Sequence, residues 1–136
     1  MAEITLAATV ENIAAATDFV TEQLEQLGCP MKAQMQFAIA VDELFGNIAH
    51  YAYPSGGGTA TIQVHAREEA RQVIVTFMDE GIPYNPLAKE DPDIALSAED
   101  RPIGGLGIFM VKKSMDDMQY RYEGGKNILS VIKNLR

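Results

Sequence analysis

Four polar side chains fall on one face of a predicted helix that is otherwise mostly apolar. At about 100° per residue, the stripe contains Gln36, Glu43, Asn47 and His50, while apolar residues fill the opposite arc. Glu43 and Asn47 are four positions apart, so their side chains can reach the same ligand. A helix face that is simply solvated shows the same pattern, and taken alone the stripe favours that interpretation.

A second candidate group lies in the segment MDEGIPYNP, at the end of an apolar strand. The carboxylate of Asp79 can accept a hydrogen bond from an exocyclic amine, and Gly81 has no Cβ to obstruct a flat ligand. This combination suits the edge of a purine. The alternative is a simple Asp-x-Gly turn, which is common after strands.

A third group is the motif GGLG at residues 104–107, directly before a predicted helix. The unpaired N–H groups and the dipole of a helix start form a natural anion site, which would suit phosphates. A flexible hinge or packing turn is an equally good interpretation of the motif alone. Neither a P-loop nor a G-x-G-x-x-G motif is present.

Hydrophobic periodicity predicts the elements that must position these groups. Residues 3–9 alternate as a short strand, and a helix follows from Glu11 until Gly28 and Pro30 end it. The later elements are a helix at residues 31–52, a hairpin at 59–68 and 71–79, a helix at 104–115 and a hairpin at 118–134.

The whole chain, residues 1–136, is expected to form one domain. The order of its elements favours an α+β two-layer sandwich, with a mostly antiparallel sheet and the helices on one face. Residues 82–103 contain four prolines and little periodicity, and a segment of this length predicts a mobile lid.

Composition limits the partners and the compartment. The net charge of −8 disfavours direct binding of nucleic acid, because a phosphate backbone would be repelled. No apolar run approaches the roughly 20 residues that span a bilayer, so no membrane association is expected. The single cysteine, Cys29, and an N-terminus without signal-peptide layout predict a cytoplasmic protein.

Three segments together resemble a known family. DELFGN, DEGIPYNP and GGLGIFMV look like the N, G1 and G2 boxes of the GHKL (Bergerat-fold) ATPases, in the same order and at similar spacings. The strand–helix–helix opening resembles that of the anti-sigma-factor serine kinases within this superfamily. The resemblance covers essentially the whole chain.

The resemblance implies a role for each matching residue. Asn47 would coordinate Mg²⁺ at the phosphates of ATP or ADP, and Glu43 would be the general base for an incoming hydroxyl. Asp79 would accept from the adenine amine, and Gly81 would support the base. The third box would contribute three further nucleotide-binding residues: Gly105, Leu106 and Gly107.

The same resemblance implies an ATP-dependent serine/threonine-protein kinase that acts as an anti-sigma factor in transcription regulation. Its partners would be a sigma factor and the anti-sigma-factor antagonist that it phosphorylates, and it would form a homodimer. His50, Arg101 and Lys89 are further candidates for positive charge near the phosphates. Two alternatives are a nucleotide-dependent protein-binding switch without phosphotransfer activity and an α+β interaction domain with chance motifs.

Overall fold

The structure, a computed structural model, describes residues 1–88 and 105–135. Eight regular elements follow one another along this part of the chain. They are β1 (Ala2–Ala7), α1 (Ile13–Gln26), α2 (Met31–Asn47), β2 (Thr59–Arg67), β3 (Gln72–Asp79), α3 (Gly105–Ser114), β4 (Asp117–Glu123) and β5 (Lys126–Asn134).

The five strands form one sheet in the order β1-β2-β3-β5-β4, and every neighbouring pair is antiparallel. Successive side chains of a strand point to opposite faces, and in β3 every second residue is buried. The buried face is the one that packs against the helices. The predicted α+β sandwich, with a mostly antiparallel sheet and helices on one face, is therefore confirmed.

The core lies between this sheet face and the apolar sides of the helices. Helix α2 contributes the largest share, because both of its phenylalanines, Phe37 and Phe45, are fully buried. The main residues that meet them are Val20 and Leu24 of α1, Ile62 of β2, Val73, Val75 and Phe77 of β3, Val111 of α3 and Val131 of β5.

Helix α1 ends as its sequence predicts. Gly28 adopts a positive φ of 73°, which L-residues with a side chain rarely adopt. The amide of Cys29 then donates to the carbonyl of Leu24 at 3.0 Å. Pro30 is the N-cap of the next helix, which begins at Met31, and its ring fixes φ, here at −59°.

Helix α2 is shorter than the predicted span of residues 31–52. Its α-helical geometry ends at Asn47, and Ile48–Ala52 form a π-helical turn. A partner for this turn comes from outside the helix, since the amide of Ile82 donates to the carbonyl of Ala52 at 2.9 Å. Single π-helical turns concentrate at functional sites in proteins.

Two further differences concern the segment before and at α3. The helix begins at Gly105, so the GGLG motif runs into its first turn instead of preceding it. Of the predicted lid, residues 82–88 are described, and they include a short 3₁₀ helix at Pro86–Ala88. Residues 89–103 of the lid lie outside the described residues, and the lid stays a prediction.

Substitution of Phe37 by Ala tests the assignment of the core. The side chain is fully buried, so we expect the free energy of unfolding to fall by about 3–5 kcal/mol. Met35→Ala is the matched control, because Met35 is exposed on the same helix and its loss should cost less than about 0.5 kcal/mol. Urea denaturation followed by circular dichroism measures both, and equal losses would contradict the assignment.

Candidate functional site

A cleft opens between the C-terminal end of α2 and the ends of β3 and β5. Its wall is mostly apolar, as is usual for sites that bind small molecules. The lining residues are Leu44, Asn47, Ile48, Ala52, Phe77, Asp79, Ile82, Tyr84, Pro86, Tyr120, Asn127 and Leu129. Asn47 and Asp79, two of the residues singled out in the sequence, therefore lie on one cleft.

Asp79 is the acidic group of the cleft and is 7% exposed. Its Oδ1 atom accepts from the amide of Gly81 and from Nδ2 of Asn127, both at 2.9 Å. These bonds offset part of the cost of burying a carboxylate. Because both use Oδ1, they leave Oδ2 able to accept from the amine of a ligand.

Asn127 was not identified from the sequence, although it is as buried as Asp79. Its Nδ2 also donates to the carbonyl of Ile82 at 2.9 Å, and its Oδ1 accepts from the amide of Tyr84 at 3.0 Å and the hydroxyl of Tyr120 at 2.5 Å. The two donors and two acceptors of the amide are all used. Asn127 thus acts on the cleft by holding other groups in place.

A signal for Asn127 does exist in the sequence. Strand β5 alternates, with Leu129 and Val131 on the buried face, and Asn127 occupies the preceding inward position. A polar residue at a core position of a strand needs internal hydrogen bonds. Its partner could not be read from the sequence, because the register that sets Asp79 opposite Asn127 is a tertiary feature.

Tyr120 completes this network from β4. Partial burial is the largest cause that raises the pKa of Tyr120, and the charge of Asp79 raises it further. The hydroxyl therefore keeps its proton at neutral pH and can act as a donor to Asn127. This bond fixes which end of the Asn127 amide faces Asp79.

Gly81 lies where the end of β3 meets the π-helical turn. A Cβ atom at this position would be 2.2 Å from the carbonyl oxygen of Ala52, far closer than such atoms approach. The sequence suggested that a ligand needs this space, and the structure shows that the chain itself needs it. Support of a nucleotide base by Gly81 stays a prediction.

Glu43 and Gly107 meet where α2 packs against the start of α3. A Cβ on Gly107 would lie 2.2 Å from both Cδ and Oε2 of Glu43, so the carboxylate rests against the glycine backbone. A negative group is favoured there by the dipole of α3. Asn47, which lines the cleft, follows Glu43 by one helical turn, so the acid and the amide are neighbours on α2.

The other residues singled out in the sequence are not among the described residues that line the cleft. Gln36 is partly buried. Its Oε1 atom is buried and has no hydrogen-bond partner among the described residues. His50 is exposed, and its ring centroid lies 5.9 Å from that of Tyr51, which is in turn 6.5 Å from Tyr84. Gly105 is the first residue of α3, next to Leu106. Lys89 and Arg101 lie outside the described residues.

Tyr53 fixes the segment between the π-helical turn and β2. Its hydroxyl donates to the carbonyl of Thr59 at 2.6 Å and accepts from the amide of Glu80 at 2.8 Å. The ring also fills the space beside Gly58, where a Cβ atom would lie 2.2 Å from it. The end of β3, which carries Asp79, is thereby tied to the start of β2.

Two kinds of feature are absent from residues 1–88 and 105–135. No group of three or more His, Cys, Asp or Glu side chains there could hold a metal ion. No helix in these ranges is long and apolar enough to cross a membrane.

Comparison with known proteins gives a family match. The profile described as "Histidine kinase-like ATPase domain" matches residues 6–133. The serine/threonine-protein kinase BtrW of Bordetella bronchiseptica is 29% identical over 104 residues, which are 75% of this chain and 72% of that protein. The serine-protein kinase RsbW of Bacillus cereus strain AH187 is 27% identical over 123 residues, 89% of this chain and 71% of that protein.

Solved structures show the same fold. The RsbU and RsbW domains of Rv1364c from Mycobacterium tuberculosis match with a TM-score of 0.66 at 12% identity, over 99% of this chain. This chain covers only 33% of that longer one. The histidine kinase domain of the blue-light activated histidine kinase EL346 from Erythrobacter litoralis matches with a TM-score of 0.57 at 17% identity, over 78% of this chain and 46% of that one.

Removal of the Asn127 amide should disrupt the buried network. Asn127→Ala leaves four groups each without one hydrogen bond, those of Asp79, Ile82, Tyr84 and Tyr120, so we expect a loss of about 2 kcal/mol or more in the free energy of unfolding. Asn134→Ala is the control. It removes one exposed side-chain bond, to Gln72, from the other end of the same strand, and should cost less than about 0.5 kcal/mol.

Gly81→Ala should be destabilising, because the new methyl group would clash with the backbone at Ala52. We expect a loss of about 2 kcal/mol or more. Gly46→Ala is the matched control: its Cβ would meet only Ile13, at 3.8 Å, and the gain in helix propensity should raise stability by up to about 1 kcal/mol. Thermal unfolding measures the stability of both variants. A Gly81→Ala variant as stable as the original chain would contradict the close contact between Gly81 and Ala52.

Proposed function

Because the chain belongs to the histidine kinase-like ATPase domain family, we propose that it is an ATP-dependent serine/threonine-protein kinase. Two of its relatives carry kinase names, a serine/threonine-protein kinase and a serine-protein kinase. The proposed reaction transfers the γ-phosphate of ATP to a Ser or Thr hydroxyl of an anti-sigma-factor antagonist. The chain itself would be the anti-sigma factor.

The inner end of the cleft is the proposed adenine site. Oδ2 of Asp79 accepts a hydrogen bond from the exocyclic amine, while Asn127 and Gly81 hold Oδ1. The apolar wall, including Leu44, Ile48 and Leu129, suits the faces of a flat base. A guanine base presents a carbonyl where adenine has its amine, so an acceptor at this position favours ATP over GTP.

The outer end of the cleft is the proposed phosphate site. Asn47 offers an amide oxygen, a ligand type that suits Mg²⁺, and the start of α3 at Gly105 and Gly107 offers backbone N–H groups to an anion. When bound, Mg²⁺ would supply charge neutralisation at the phosphates. Together Asn47, Gly105, Leu106 and Gly107 would hold the triphosphate.

The position of Glu43 is the single observation that carries the kinase proposal. Its carboxylate rests against Gly107, and Glu43 precedes Asn47 by one helical turn, so Glu43 lies beside the proposed phosphate site. Glu43 takes the hydroxyl proton as the oxygen attacks phosphorus, and the bond to the β–γ bridging oxygen breaks to release ADP. Binding of a nucleotide alone would not need such a base.

Partners and location follow from the family resemblance of the three boxes. We propose that the chain binds a sigma factor and its antagonist in the cytoplasm, and that it forms a homodimer. The surface chemistry agrees with protein partners, because a net charge of −8 opposes nucleic acid.

Glu43→Gln separates catalysis from binding. The amide keeps the shape but cannot accept the proton, so we expect phosphotransfer to fall at least about 100-fold with ATP affinity changed less than about twofold. Asp42→Gln is the matched control, since Asp42 is the exposed neighbour on the same helix, and it should leave both quantities unchanged. Titration calorimetry with ATP and Mg²⁺ measures affinity.

Phosphotransfer is measured with γ-labelled ATP and a heat-treated extract of the source cells, followed by mapping of labelled Ser and Thr residues. Asn47→Ala should remove the Mg²⁺ dependence of binding, and Asp79→Asn should remove the preference for ATP over GTP. Binding of ATP without any labelled protein would favour a nucleotide-dependent switch without phosphotransfer. Absence of nucleotide binding would overturn both functions and favour an interaction domain.

A further inference from the structure

The outer side of α2 exposes three large apolar side chains. Met31, Met35 and Ile39 are 67%, 61% and 51% exposed, although α2 is central to the core on its other side. They follow one another at intervals of four residues, so they form a continuous ridge along about two turns. Single exposed apolar residues are ordinary, but an aligned set on one helix is typical of an interaction site.

Helix α1 places negative charge on the same outer surface. Asp18, Glu22 and Glu25 are all exposed, at spacings of four and three residues. No ion pair involves them within residues 1–88 and 105–135. Helices α1 and α2 pack side by side on one face of the sheet, as the approach of Ile13 to Gly46 shows, so both exposed faces point away from the sheet.

We infer that this acidic-apolar surface, formed by Met31, Met35 and Ile39 with Asp18, Glu22 and Glu25, docks a basic amphipathic helix of a partner protein. An amphipathic helix lays apolar residues at positions i, i+3, i+4 and i+7 against such a ridge. Lys or Arg residues on its flank then face the carboxylates of α1. Charge complementarity selects this occupant and guides its approach.

The same charges disfavour two other occupants. In a symmetric contact made by this surface, the acidic side chains of both copies would lie in the same interface. Anionic lipid would be repelled for the same reason. Helix α2 itself has a single cation, Lys32, which is too little to reverse this balance.

The two methionines suit a ridge that adapts to the side chains of its partner helix. Met is unbranched and polarizable, so it adapts to different apolar side chains, and Met-rich surfaces are used by proteins that bind several partners. The ridge occupies the N-terminal half of α2, and Met35 lies twelve residues, or about 18 Å along the helix axis, from Asn47 in the cleft. The inference therefore goes beyond the proposed kinase activity and needs neither nucleotide nor phosphotransfer.

The experiment uses two synthetic eighteen-residue helical peptides with the same leucine ridge, one flanked by lysines and one by glutamates. Fluorescence anisotropy should detect binding of the Leu/Lys peptide to the full chain, and binding should weaken as NaCl rises from about 0.05 to 0.3 M. The Leu/Glu peptide should not bind. Met35→Gln combined with Ile39→Gln should weaken Leu/Lys binding at least tenfold.

Charge reversal tests the acidic side directly. Glu22→Lys combined with Glu25→Lys should also weaken Leu/Lys binding tenfold or more, and it should create binding of the Leu/Glu peptide. Tyr122→Gln is the matched control, because it removes an exposed apolar side chain from β4 on another surface, and it should change neither affinity. Unchanged ATP affinity in all variants would show that the substitutions change peptide binding without changing the cleft.

Three results would overturn the inference. The first is Leu/Lys binding that is absent, or that none of the α1 and α2 substitutions weakens. A second is a self-associating chain, by analytical ultracentrifugation, that Met35→Gln with Ile39→Gln turns into monomers, because the surface would then join two copies. Binding to anionic vesicles that is lost in the same variant would show instead that it contacts lipid.

Discussion

The hydrogen bond between Asp79 and Asn127 is the interaction on which the cleft depends. It joins directly opposite residues of β3 and β5, in the part of the sheet that the helices cover. A buried carboxylate is costly unless it is hydrogen-bonded, and here the amide of Gly81 and the side chain of Asn127 meet that need. One oxygen of Asp79 is fixed, so the other has a defined direction for a ligand.

The same asparagine shapes the loop after β3. Its bonds to Ile82 and Tyr84 hold that loop against β5, and the bond from Ile82 to Ala52 holds the loop against α2. Because Gly81 has no Cβ, the loop can approach the carbonyl of Ala52 closely. The acidic group, the loop and the π-helical turn are thus parts of one hydrogen-bonded unit, and a change in any of them is felt by the others.

Helix α2 serves the core and the site at once. Its fully buried side, which includes Phe37 and Phe45, fixes the helix against the sheet. Glu43 and Asn47 therefore project from a rigid element, which holds functional groups more accurately than a loop does. Met31, Met35 and Ile39 occupy the N-terminal half of the helix, so a partner there and a nucleotide in the cleft would contact the same element at different positions along its length.

The sequence by itself determined the elements and the fold class, because hydrophobic periodicity and the Gly28–Pro30 stop are local signals. It also predicted Glu43, Asn47 and Asp79 as site residues from their own segments, and Gly107 from the resemblance of the three boxes. The tertiary structure decided which of these groups meet. The pairing of Asn127 with Asp79 depends on strand register, and the close contact of Gly81 with Ala52 depends on the packing of β3 against the π-helical turn, because in both cases the partner is distant along the chain. The π-helical turn likewise depends on Ile82, and helical periodicity alone could not distinguish it from a continuing α-helix.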